Sequence, residues 1–223
     1  MYSYKFKKFI LLLSLSSFIF AFLIGILVLS LLLNDGPLNI ISSPLVGIKM
    51  CISAVLVNCL FMFVLTVIYS SERSEDRSFF QPYSFIKSCG LLLLSSVIFH
   101  IISILYGAPV LISVEETYTF SVLMSVLVIL PLCLFCGPVF DSWYEVFTSS
   151  SYLGIETVVY YTSIMSILGS WAGAAAIPLD WDRPWQAWPI SCAVGAIFGY
   201  CLGLLFGAVQ LPRELLNNKW KVI

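Results

Sequence analysis

The chain has 223 residues, of which 60% are hydrophobic and only 10% charged, with a formal net charge of −1 and a mean hydropathy of +1.01. A soluble domain is about 45–50% apolar and about 25% charged, so these residues cannot cover a globule in water. Disorder needs low hydrophobicity and high net charge and is excluded too, and the near-neutral balance calls for no nucleic acid. What remains is an all-α polytopic membrane protein.

A membrane span needs about 20 mostly apolar residues. The first candidate runs from about Phe9 to Leu33 and carries no charge; it is too long for the apolar core of a signal peptide, about 7–15 residues, and reads as a retained helix. Further spans are expected at about 45–70, 88–106, 118–136, 152–177 and 190–211. Turn chemistry separates them: Asn34-Asp35-Gly36-Pro37, Gly107-Ala108-Pro109, Gly137-Pro138 and Pro178. Pro131 falls inside the fourth span and predicts a kink there. The charged run Ser71 to Arg77 reads as a solvated loop, and so does the connection holding Asp141 and Glu145. The expected architecture is a six-helix transmembrane bundle with short loops, one domain over residues 1–223.

An even number of spans puts both termini on one side. Nine of the eleven Lys and Arg residues then share that side, and only Lys49 and Arg183 lie opposite. Basic residues collect on the cytoplasmic side, so both termini are expected to be cytoplasmic.

The seven cysteines all fall in or at the edge of spans, which favours packing roles over a disulfide framework. Cys133-x-x-Cys136 reads the same way in a membrane helix. There is no N-glycosylation sequon. Catalytic metal sites need clustered His, Cys, Asp and Glu, whereas this chain has one histidine and few acids on the non-cytoplasmic side, so no metal and no cofactor are expected. No G-x-S-x-G, Walker sequence or H-E-x-x-H occurs.

Four features stand out. His100 is an ionisable group inside a span, either a neutral ring bonded to a neighbouring helix or a proton relay or ligand. The segment from Ile177 to Pro189 holds Asp180, Trp181, Asp182, Arg183, Pro184, Trp185 and Trp188. Arg183 there could clamp a phosphate and indoles could hold an ammonium; the alternative is an interfacial anchor loop with an internal Asp–Arg pair. In the last span Gly195, Gly199, Gly203 and Gly207 recur every four residues, and Gly169 and Gly173 answer from the fifth. Such small-residue ridges let helices approach closely, so they either join these two spans or receive a helix of another protein. Glu115 and Glu116 precede the fourth span, where they cap the helix dipole or meet a basic residue of a partner.

Phe99-His100 with Leu105 to Pro109, Leu132 to Pro138, and above all Gly169 to Gly173 through Ile177 to Cys192, Gly195, Gly199 and Tyr200 carry a resemblance. In these stretches the chain is similar to the phosphatidylinositol-glycan biosynthesis class F family, the stabilising subunits of the glycosylphosphatidylinositol (GPI) ethanolamine-phosphate transferases. The resemblance is strong over about the C-terminal three-fifths; the first two spans match in hydrophobic pattern and length alone. It implies a multi-pass protein of the endoplasmic reticulum membrane without catalytic residues of its own. It also implies a large multi-pass transferase as partner, whose luminal domain holds zinc and draws phosphoethanolamine from phosphatidylethanolamine. The glycine ridges are then expected at the partner interface or supporting it, with the tryptophan loop beneath the luminal domain, touching partner or lipid headgroup. Two rivals are a headgroup-handling enzyme using His100 and Arg183, and a small transporter.

Overall fold

In hydrocarbon a backbone satisfies its own hydrogen bonds only as a helix or a closed barrel, and this chain takes the first course. The structure, a computed structural model, describes residues 4–34, 36–71, 82–148, 154–179 and 181–216. Seven α-helices occur among them and no strand: α1 (Tyr4–Leu33), α2 (Pro44–Ser71), α3 (Pro82–Leu105), α4 (Val114–Phe135), α5 (Phe140–Thr148), α6 (Ile155–Ala174) and α7 (Ile190–Leu216). A single 3-10 turn, Pro184–Gln186, interrupts the loop before α7. Many hydroxyls inside the helices bond back to carbonyls on their own helix, as Ser17 Oγ does to Leu13 O (2.8 Å) and Ser121 Oγ to Thr117 O (2.7 Å), whereas Ser14 Oγ of α1 reaches Ala208 O of α7 (2.7 Å).

The helices start earlier than the apolar runs. α1 begins at Tyr4, before Lys5, Lys7 and Lys8, and α3 begins at Pro82, before Lys87. Lysines extend their charge away from an apolar surface without breaking a helix, and proline suits a first turn. Helices stop where glycine supplies positive φ: Gly107 (φ 101°) follows α3 and Gly137 (φ 76°) follows α4. Pro131 lies inside α4 without ending it. The connection read as a loop around Asp141 and Glu145 is instead the helix α5. It is short and amphipathic, burying Trp143 and Val146 while Phe140 and Tyr144 stay exposed. The Trp143 indole N–H is held by Gly137 O (2.7 Å).

Five helices are long and apolar enough to cross a membrane: α1, α2, α3, α4 and α7. α6 has 20 residues but turns Thr157, Thr162, Ser163 and Ser166 inward and carries Glu156 in its first turn, so it is less apolar. α4 and α7 are the most buried spans, and α3 is the most exposed. α6 packs along α7, α1 packs on α7 and α2, α2 packs on α4, and among the described residues α3 leans chiefly on α4. The core joins Leu13, Ile48, Leu127, Ile197 and Leu204, all essentially without exposure.

Candidate luminal loop and glycine seam

The glycines of α6 and α7 face one another. A Cβ on Gly169 would drive into the Gly195 carbonyl oxygen and lie 3.0 Å from Gly199 Cα. One on Gly173 would strike the Ser191 carbonyl oxygen, and one on Gly195 the Gly169 carbonyl oxygen. Gly199 abuts the Met165 carbonyl oxygen in the same sense. Gly203 would place a Cβ 2.5 Å from Thr162 Cα, and Gly207 would place one 3.3 Å from Val158 Cα, less severe but still tighter than ordinary van der Waals contact. The two ridges are therefore spent on each other. They form a seam in which backbone meets backbone, and their glycine faces are not open to another helix. Gln210 Nε2 adds a hydrogen bond to Tyr161 Oη (3.2 Å) further along the seam.

The seam continues into the loop. Gln186, 8% exposed, bonds three backbone groups: its Nε2 donates to Ala176 O (2.8 Å) and Leu179 O (2.9 Å), and its Oε1 accepts the Arg183 N–H (2.7 Å). One amide thus ties the end of α6 to the 3-10 turn. Trp188 donates its indole N–H to Thr117 Oγ1 (2.9 Å) and packs edge-on against Phe120 (5.4 Å), fixing the start of α7 to α4. The Trp188–Pro189 peptide bond is cis. Trp181 and Trp185 meet edge to face, with centroids 5.9 Å apart and ring planes at 60°; Trp181 is exposed and Trp185 half-buried. Asp182 holds a left-handed conformation (φ 47°), and Asp182, Arg183 and Pro184 are exposed. Asp180 lies outside the described residues, and among those described Arg183 forms no ion pair.

His100 sits away from the loop's bonding network. Its ring meets Tyr118 of α4 edge-on (6.1 Å), and Nδ1 is buried without a hydrogen-bond partner among the described residues. Glu115 reaches Lys49 (3.5 Å), an exposed pair that gives this acid a partner within the chain. Exposed pairs contribute about 0–1 kcal/mol. All seven cysteines are free thiols. Among the described residues no three or more His, Cys, Asp or Glu side chains stand together as a metal site.

Gln186 and Asn58 went unread in the sequence. Asn58 is 1% exposed in α2 and donates to Tyr200 Oη (2.8 Å) across to α7, with Cys59 Sγ 3.9 Å from the same oxygen. A lone amide inside a 26-residue apolar stretch was a signal, since amides in spans bond across helices. Gln186 had none: a glutamine in a polar-looking loop is ordinary.

Comparison with known proteins identifies relatives along nearly the whole chain. The family model described as "GPI biosynthesis protein family Pig-F" matches residues 22–208. The match reaches back through α2 and into the C-terminal part of α1, beyond the stretches that carry the resemblance. The human protein named "GPI ethanolamine phosphate transferase, stabilizing subunit" is 37% identical over 195 residues, 86% of this chain and 87% of its own length. The mouse protein of the same name is 37% identical over 175 residues, 78% of this chain and 79% of its own. "Glycosylphosphatidylinositol anchor biosynthesis protein 11" of Yarrowia lipolytica is 37% identical over 127 residues, 56% of each chain. No solved structure gives a significant match.

Proposed function

The chain belongs to the GPI biosynthesis protein family Pig-F, and from that membership we propose that it is the non-catalytic membrane subunit that stabilises a GPI ethanolamine phosphate transferase. The observation that carries this reading is the near full-length likeness to the human and mouse stabilising subunits. The transfer chemistry belongs to a large multi-pass catalytic subunit in the endoplasmic reticulum membrane, and this chain supplies a surface.

In this reading the bundle crosses the membrane six times. α6 counts as a crossing because its hydroxyls lie inside the bundle against α4 and α7, where they meet no lipid. Both termini face the cytoplasm and the tryptophan loop faces the lumen, in keeping with the basic residues. The seam of Gly169, Gly173, Gly195, Gly199, Gly203 and Gly207 supports the interface by joining α6 to α7. The transferase then meets the outer faces of that pair, where Leu168, Trp171 and Phe198 are exposed, together with the loop from Trp181 to Trp188. His100 serves the packing of α3 on α4. Membrane lipid, phosphatidylethanolamine included, touches the same loop.

Purification of the tagged chain in mild detergent tests the reading. The expected companion is a multi-pass transferase with a metal-rich luminal domain, near one to one. A clean monomer or homo-oligomer, with transferase levels unchanged when the chain is deleted, would overturn it.

A further inference from the structure

The connection from α4 to α6 is folded back on the bundle. Gly137 turns the chain at positive φ (76°), and its carbonyl takes the Trp143 indole N–H (2.7 Å). At the other end of α5, Phe147 meets Tyr160 of α6 with ring centroids 6.1 Å apart. Tyr160 lies about 7.5 Å along the axis from the start of α6 at Ile155. The C-terminal end of α5 is therefore level with the first turns of α6. Its nine residues reach only about 13 Å against about 30 Å of hydrocarbon, so α5 lies at the end of the bundle without crossing.

Three kinds of side chain take three sides of this helix. Successive residues advance about 100° around the axis. Trp143 and Val146 therefore share one side, Phe140, Tyr144 and Phe147 the next, and Asp141 and Glu145 the third. The first side is buried and the other two are exposed, Phe140 and Tyr144 at 71% each. A helix on the surface of a soluble protein needs two sides, one inward and one toward water. A third side made of large aromatics answers to a second medium. The rings also continue beyond α5. Tyr160 meets Tyr161 (5.2 Å), and Tyr161 stacks with Phe206 (6.0 Å), which is exposed on α7, a helix long and apolar enough to cross a membrane. The aromatic side of α5 is thus continuous with the surface that a span turns to lipid.

Aromatic rings gather where headgroups meet acyl chains, and amphipathic helices lie in that plane. We infer that α5 is an in-plane membrane anchor: Phe140, Tyr144 and Phe147 enter the cytoplasmic leaflet, and Asp141 and Glu145 face the cytosol. Phospholipid of that leaflet covers the exposed rings. α5 carries two acids and no base, so ring insertion, not attraction to anionic headgroups, holds it there. The inference rests on the membrane-spanning reading of the bundle and does not require the transferase as partner.

The test uses membranes containing the full chain with its natural partners. A benzophenone-bearing phenylalanine replaces Phe140, Tyr144, Asp141 or Glu145 in turn, the membranes are irradiated, and adducts are identified by mass. Phospholipid adducts are expected in place of Phe140 and Tyr144, several-fold above those in place of Asp141 and Glu145. Tyr144→Glu, which puts a charge on the aromatic side, should lower the adducts at Phe140 several-fold, whereas Glu145→Gln should leave them unchanged. Equal lipid adducts at all four sites would overturn the orientation. Adducts at Phe140 undiminished by Tyr144→Glu would overturn the aromatic anchor. Crosslinks from Phe140 and Tyr144 to another protein would make this side a protein interface and overturn the lipid assignment. Transferase recovered with the chain is measured in the same preparations. Absent lipid adducts with the transferase retained sink this inference alone, whereas lipid adducts with no transferase ever recovered sink the subunit reading alone.

Discussion

Gln186 satisfies three backbone groups with one side chain, giving hydrogens to Ala176 O and Leu179 O and taking the Arg183 N–H. Without it, two carbonyls and one N–H beside the membrane surface lose their partners together. Each net bond is worth about 0.5–1.5 kcal/mol. Gln186→Ala is therefore expected to loosen the loop while leaving the helices intact. Hydrogen–deuterium exchange should rise several-fold at the amides around Arg183 and stay unchanged within α4. Unchanged exchange in the loop would show that Trp188, through Thr117 and Phe120, holds it alone. Asn58 works at the same scale inside the bundle, where its bond to Tyr200 ties α2 to α7. Measured bonds of this kind in membranes average about 0.6 kcal/mol, so it serves register more than stability.

In the α6–α7 pair backbone meets backbone, because glycine after glycine leaves no side chain between the helices. Gly203→Leu puts a branched side chain where even a Cβ would lie 2.5 Å from Thr162 Cα, backbone that cannot swing aside. Overpacking costs about 1–3 kcal/mol where neighbours can shift, and here the seam must open. The variant is expected to lower the melting temperature of the purified complex and the steady-state level of the transferase. Gly25→Leu is the matched control, since a Cβ there meets nothing within 4 Å. If Gly25→Leu removed the transferase and Gly203→Leu did not, α1 would be the partner face and the seam mere internal packing. α5 shows a different economy: nine residues cannot cross a membrane, and its exposed Phe140 and Tyr144 suit the interface between water and lipid.

For the whole molecule, sidedness turns on α6. If α6 crosses, five spans separate Lys7 from Arg183 and the two lie on opposite sides; if it does not, they share one side. Lys7→Cys and Arg183→Cys in sealed microsomes, treated with an impermeant maleimide and compared with the parent chain, decide between these. Lys7→Cys should label at once and Arg183→Cys only after permeabilisation. Labelling of both in sealed vesicles would remove the sixth crossing and the luminal loop with it.

The amino-acid sequence by itself determined that the chain is helical, where its long helices lie, and which two carry matched small-residue ridges. An apolar run in lipid has one local way to satisfy its backbone, so those facts are local. The same solvent hides the rest. Lipid-facing and buried faces are both apolar, so composition does not say which side of α1 or α3 turns inward, and that was left to packing. Only the tertiary structure decided that the glycine ridges close on each other, that α3 leans chiefly on α4, and that α5 is a helix. It also decided that Gln186 pins the loop. Each of these depends on residues far apart in the chain, or on polar atoms whose partners no local pattern names.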